Sequence, residues 1–243
     1  MADAVSYLAS ALSLLLVRTR LQEPRGAAPG RASAEITEAL GWFWAQAFIR
    51  TSALAVAAGN FTAVALELVL IIRARQHGAS PAVVGVMLAI VGLSGLIGAL
   101  LAPRIVRRLP APLIVIGTFW IEAALLPMLA LTHDPYLLGV IAGVGGLVAP
   151  AWNAIVVGAR LTLTPDRLRG RVNSAARLIS GSMLALGPLA AGLLSQSVGT
   201  TRALIALGGW QLLLALVATA TKLLRAGLPP RPGTRPSSAA SCR

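Results

Sequence analysis

The chain has 243 residues, 56% of them hydrophobic and only 12% charged, yet its net charge is +13. Apolar runs of about twenty residues recur, which argues against an ordinary soluble domain and for helices that cross a membrane. The basic residues fall in clusters between or after those runs and form no patch on one fold, so nucleic acid is not an expected partner. The single cysteine, Cys242, allows neither an intrachain disulfide nor a cysteine metal site.

At the N-terminus, Ala4 to Val17 is apolar and is followed by Arg18 and Arg20. The run is shorter than a spanning helix needs, and with Asp3 before it and arginines after it the charge order is the reverse of a signal peptide. Residues 1–17 are therefore expected to be the cytoplasmic end of a truncated transmembrane helix. Residues 18–50 are expected to be a cytoplasmic linker and interfacial helix. Gln22 to Ser33 is rich in Pro, Gly, Ala and Arg, as flexible linkers are. From Ala34 to Arg50, Ile36, Leu40, Phe43, Ala47 and Phe48 recur at helical spacing, with Glu35 and Glu38 to one side. Trp42 and Trp44 are rings of the kind that settle at headgroup depth. A plain cytoplasmic helix is the alternative.

Six spans follow within 51–224: Thr51 to Ile72, Ala82 to Ala102, Ala111 to Leu131, Leu137 to Gly158, Ala175 to Leu194 and Ala203 to Leu224. Basic turns are expected at 103–110 and 159–174, and polar turns at Gly78–Pro81 and Thr132–Pro135. The tail 225–243 holds Pro229, Pro230, Pro232 and Pro236 among Gly and Ser and is expected to be disordered. The fold class is thus an all-α membrane protein of six transmembrane helices, preceded by a partial helix and a linker. Orientation follows from counting. If 18–50, 103–110, 159–174 and 225–243 are cytoplasmic, eighteen of the 21 basic residues lie inside, counting Arg177 and Lys222 at the inner ends of the fifth and sixth spans, and only Arg73, Arg75 and Arg202 lie outside. That is a multi-pass protein of the cell membrane, with lipid as its first partner. Small-residue pairs four apart (Gly139 with Gly143, Ser94 with Gly98, Gly95 with Ala99, Gly181 with Ala185) mark surfaces where helices can approach closely.

Polar groups inside the spans are the candidates for chemistry, because a charge at the bilayer centre costs about 2.5 to 3.5 kcal/mol on insertion scales. Asn60 and Glu67 lie seven apart on the first span, hence on nearly one face. Glu122 is central in the third, Trp152 and Asn153 follow Pro150 in the fourth, and Gln211 lies in the sixth. Such groups face a water-filled cavity or one another. An enclosed carboxyl group can take up and release a proton near neutral pH, which makes Glu67 and Glu122 proton-coupling candidates. For each of these residues a helix-bridging or packing role is the plainer reading. The two histidines, His77 and His133, lie in turns without metal-ligand spacing, and no Ser-His-acid set, phosphate-binding Walker A loop or dinucleotide fingerprint is present. No enzyme, metal or organic cofactor is expected, and the driving force would be a proton gradient.

Three stretches carry a resemblance. They are Pro150 to Asn153, Leu163 to Ser174 (LTPDRLRGRVNS), and Gly187, Pro188, Leu189 with Gly192. Together they resemble the major facilitator superfamily, in the branch of proton-driven exporters of macrolides, other drugs and siderophores. The turn from Gly98 to Leu109 is similar to that family's cytoplasmic loop motif, with Ala102 where an acid often stands. The resemblance covers only the C-terminal half of such a protein, helices seven to twelve, and implies a missing N-terminal half or a second copy as partner. It implies substrate contacts at Asn60, Glu67, Trp152 and Asn153 on the cavity-lining helices seven and ten, and a peripheral place for Glu122 on helix nine. It further implies a cytoplasmic gating segment of Arg104, Arg107, Arg108, Asp166, Arg169, Gly170, Arg171 and Arg177. The implied activity is export of a small amphipathic substrate by antiport, incomplete in this chain alone. A membrane interaction protein that does not itself transport is the rival.

Overall fold

A computed structural model describes residues 32–221 together with Ser10 and Ser13. The expected partial helix at 1–17, the linker before residue 32, the last residues of the sixth span and the tail with Cys242 lie outside the described residues, those two serines apart. The chain divides into two units, residues 1–37 and residues 38–243, and the six membrane-length helices found among the described residues lie in the second. Among the described residues there are seven α-helices and no strand: α1 (Ala32–Ala45), α2 (Ala47–Gln76), α3 (Pro81–Arg108), α4 (Ala111–Leu131), α5 (Pro135–Leu163), α6 (Arg169–Val198) and α7 (Thr200–Ala220), with a 3-10 turn at Asp166–Leu168 between α5 and α6. Helices α2 to α7 are each long and apolar enough to cross a membrane.

The boundaries follow local chemistry. Ser80 accepts a hydrogen bond from the Val83 amide and Asp134 one from the Leu137 amide, each followed by a proline in the first helical turn. Gly78 and Gly199 have φ of 82° and 84°, which lets the chain reverse tightly after α2 and between α6 and α7. The third expected span, Ala111 to Leu131, coincides with α4.

Elsewhere the helices outrun the apolar runs. The stretch expected as a basic turn at 103–110 is helical up to Arg108, and the loop expected at 159–174 shrinks to Thr164–Leu168, most of it the 3-10 turn. Arg104, Arg107 and Arg108 thus ride on the last turns of α3, whereas Gly170, Arg171 and Arg177 ride on the first turns of α6. The end of an apolar run marks where hydrocarbon ends, while the backbone keeps its ladder into the polar layer, and basic side chains at a helix C-terminus favour that continuation. At the other boundary the single helix expected over Ala34 to Arg50 is interrupted. Gln46 is extended (φ −84°, ψ 97°), separating α1 from α2.

The six long helices form two triplets, α2–α3–α4 and α5–α6–α7, that exchange partners in one pattern. The middle helix of each packs on the first helix of the other (α3 on α5, α6 on α2), and the third helices, α4 and α7, pack together. This is how two repeats of opposite topology interlock. The close approaches are at glycines. A methyl group on Gly98 would stand 2.5 Å from the Leu147 carbonyl oxygen and 2.9 Å from that of Gly146. One on Gly139 would meet the Met87 carbonyl at 2.9 Å, and one on Gly143 the Ser94 hydroxyl at 2.5 Å. In the other seam, a methyl on Gly187 would meet Val64 at 2.4 Å and the Phe61 carbonyl at 2.8 Å. Gly181, by contrast, has nothing within 4 Å of such a methyl among the described residues, so that small-residue pair marks no close approach between them.

One end of the bundle is closed by Arg73, whose side chain is 1% exposed. Its Nε donates to the Thr132 carbonyl (2.8 Å), Nη2 to the Ala130 carbonyl (2.8 Å) and Nη1 to the Thr201 hydroxyl (2.8 Å). It thereby ties the end of α2 to the end of α4 and the start of α7. The carbonyls it meets are the orphan acceptors of a helix C-terminus, where a cation is favoured. Beside it, the His77 and His133 rings stand 4.6 Å apart. The opposite end carries most of the arginines of the described residues, largely exposed.

Candidate functional site

Between α2, α3, α4 and α5 lies a partly open cavity of about 420 Å³. Its walls are aliphatic, from Leu66, Leu70, Val91, Leu125 and others, with three polar side chains: Thr62 and Glu67 of α2 and Glu122 of α4. Among the described residues no basic side chain lines it. Gly145 and Gly146 of α5 form part of the floor, and a methyl on Gly145 would come within 4.0 Å of the Glu122 side chain.

Behind the wall, Glu122 is fixed by a chain of hydrogen bonds. Gln211 of α7, wholly buried, donates from Nε2 to Glu122 Oε2. The Thr62 hydroxyl donates to Gln211 Oε1 at 3.0 Å. Thr62 also lies 3.2 Å from the Ala58 carbonyl one turn back, the usual alternative acceptor for a hydroxyl in a helix. Three helices are thus joined by polar contacts in an otherwise apolar interior, where each such group needs a partner. Glu67 is different: it is exposed, and among the described residues it makes no hydrogen bond or ion pair.

The residues expected as substrate contacts separate. Glu67 lines the cavity together with Glu122, the residue the resemblance placed at the periphery. Asn60 instead crosses to α6, donating from Nδ2 to the Ser180 carbonyl at 3.2 Å. Trp152 is buried against Phe119, ring edge to face at 6.0 Å, within an apolar cluster of α3, α4, α5 and α7, and its buried indole N–H finds no acceptor among the described residues. Asn153 is exposed on α5, and neither it nor Trp152 reaches the cavity. Thr62 carried no signal of its own in the sequence. Gln211 did, as an amide in an apolar span, but its partners lie 149 and 89 residues away, beyond any spacing rule.

In the expected gating segment, Asp166 and Arg169 form an exposed ion pair at 2.7 Å, and Arg169 Nε also donates to the Thr164 carbonyl at 3.3 Å. Arg107 Nε donates to the Pro103 carbonyl in its own helix at 3.1 Å. Arg104, Arg108, Gly170 and Arg177 are exposed, and Arg171 is half-buried. Among the described residues no group of three or more His, Cys, Asp or Glu side chains gathers where it could hold a metal ion.

No curated protein and no solved structure matches the chain. A family model described as Major Facilitator Superfamily matches residues 51–242, which takes in α2 from its second turn and the whole of α3 to α7. With six membrane-length helices, two interlocking triplets and an intramembrane cavity bearing carboxylates, the chain belongs to the major facilitator superfamily, a family of secondary transporters.

Proposed function

We propose that this chain is the C-terminal half of a proton-coupled exporter of drugs or other amphipathic small molecules in the cell membrane. The observation that carries this reading is the cavity in which two carboxylates, Glu67 and Glu122, face a common apolar space. A carboxyl group that is alternately charged and neutral in such a space can exchange a proton for a substrate, so that the gradient of one drives the other. Glu122 suits the proton, because Gln211 and Thr62 hold its carboxylate in place. Glu67, free of such ties, suits the substrate.

In this reading the matching N-terminal half, or a second copy related by an axis along the membrane normal, supplies the opposite wall, and rocking of the two halves alternates access. The arginine-rich end faces the cytoplasm. There Asp166, Arg169, Arg171 and Arg177, with Arg104, Arg107 and Arg108 on α3, contact the other half when the inner side is closed.

The test is transport. The chain, alone and together with a candidate N-terminal half, is reconstituted into proteoliposomes with an imposed pH gradient, and movement of a fluorescent dye is followed beside internal pH. Dye movement that collapses with the gradient and is lost in Glu122→Gln supports coupling. Dye movement indifferent to the gradient removes proton coupling. No movement with any partner half would favour the rival, a membrane interaction protein that does not transport.

A further inference from the structure

We infer that His77 and His133 form a two-histidine site for a transition-metal ion of the zinc class, which clamps the end of α2 to the turn between α4 and α5. The inference goes beyond the transporter reading and does not rest on it. The chain has two histidines in all. The fold brings both to the Arg73 end of the bundle, with ring centres 4.6 Å apart. Two imidazoles on one tetrahedral zinc, each nitrogen about 2.0 Å from the metal, set their ring centres roughly 5 Å apart. The observed spacing is therefore within a small side-chain adjustment of a chelate.

The donor atoms suit the role. His77 Nδ1 lies 2.8 Å from the Arg73 carbonyl, which can only accept, so Nδ1 carries the ring proton and Nε2 keeps its lone pair. One ring nitrogen tied to a backbone carbonyl while the other faces a metal is the usual state of a metal-binding histidine. His133 makes no hydrogen bond among the described residues, and both rings are exposed, within reach of an ion from solution. The backbones are fixed before any ion arrives. His77 caps α2, its amide donating to the Arg73 and Ala74 carbonyls at 3.2 Å each. His133 stands between Thr132, whose carbonyl accepts from Arg73 Nε, and Asp134, whose carboxylate caps α5. Little ordering is left for the ion to impose. Imidazole favours zinc, copper and nickel over magnesium and calcium, and with two protein ligands the other positions fall to water. Arg73 and Arg75 oppose a dication, but their guanidinium groups are turned to backbone carbonyls, those of Ala130 and Thr132 for the first and that of Ala79 for the second. Their charge lowers the affinity without occupying the ring nitrogens.

The test uses the full chain in lipid nanodiscs, without a histidine tag and carrying Cys242→Ser, so that the one thiol cannot bind metal. Zinc is titrated in competition with a chromophoric chelator. One zinc per chain is expected, with no response to magnesium. His77→Ala and His133→Ala should each weaken binding at least roughly tenfold, and the double variant little further, because a chelate is lost with either arm. Saturating zinc should raise the midpoint of thermal unfolding of the parent chain and leave that of the double variant unmoved. With both histidines in place, zinc should shield His77 and His133 together from diethyl pyrocarbonate, read by peptide mass spectrometry, a result that does not depend on how any histidine variant folds. Stoichiometric zinc retained by the double variant, weakening or shielding at one histidine only, or no saturable binding overturns the site. None of these outcomes bears on transport, so the transporter reading stands or falls separately.

Discussion

The two ends of the bundle use the same side chain for opposite purposes. At one end a single arginine, Arg73, is withdrawn from solvent and joins three helices through backbone carbonyls and a threonine hydroxyl. At the other, Arg104, Arg107, Arg108, Arg169 and Arg177 stand in solvent, and the ion pair of Asp166 with Arg169 is exposed on both sides. The difference separates two roles that a charge count merges. Exposed arginines decide which way helices enter a membrane and contribute little once they are in, because surface pairs are screened and entropically costly. A buried arginine without a carboxylate partner does the reverse: it is worth what its hydrogen bonds are worth.

The largest break expected in this comparison is Arg73→Ala. It strands the Ala130 and Thr132 carbonyls, and a loss of roughly 3 kcal/mol is expected in thermal or denaturant unfolding of the purified protein. Arg73→Lys should recover only part of that, since an ammonium lacks the planar fork. An unaltered midpoint for Arg73→Ala would mean that this end is held by packing alone. Next comes the seam between the ends. Gly98→Ala must push a methyl against backbone at 2.5 Å and is expected to cost about 1 to 3 kcal/mol, whereas Gly181→Ala, in open space, should stay within about 0.5 kcal/mol. Equal values for the two would refute the seam as drawn. Gln211→Leu removes two interhelical hydrogen bonds and should cost about 1 kcal/mol, the scale of such bonds in membranes. Its sharper readout is transport, which should fall while the protein still inserts. The smallest effect belongs to the basic end. Asp166→Ala should move stability by no more than about 0.5 kcal/mol. Replacing Arg104, Arg107 and Arg108 together should shift the orientation of inserted helices, read by cysteine labelling from either side, more than it shifts unfolding.

Much of the architecture was legible because hydrophobicity is a local property. Ala111 to Leu131 reads as a span and is one, four of the other long helices contain the span expected for them, and α7 holds the described part of the sixth up to Ala220. Where expectation failed it did so at the ends, at Pro103 to Arg108, at Ala159 to Leu163 and at Arg169 to Ser174, because composition reports the surrounding medium and not the backbone. The site was half legible. Carboxylates in apolar spans announce themselves, so Glu67 and Glu122 stood out. Whether two such residues share a cavity depends on helix rotation and on which helices touch, and neither is written in spacing. Asn60 and Glu67 share nearly one face at seven residues' separation, yet one reaches α6 and the other the cavity. The fate of Arg73 was hidden for the same reason, since its acceptors come from α4 and α7. The proximity of His77 to His133 was hidden too, because two turns far apart in sequence are brought together only by the fold.

Pro150 inside α5 leaves the Gly146 carbonyl without its partner amide, and that is one of the two carbonyls against which Gly98 packs. The Cα–H of Gly98 can serve such an oxygen weakly where water cannot come. A helix bearing a bare carbonyl is a poor solitary guest in hydrocarbon. It follows that α5 should not settle in the bilayer on its own: α3, made earlier, would wait at the site of synthesis or nearby to receive it. The order in which the helices leave the ribosome, first the glycine and then the proline that needs it, is then itself part of the folding instruction.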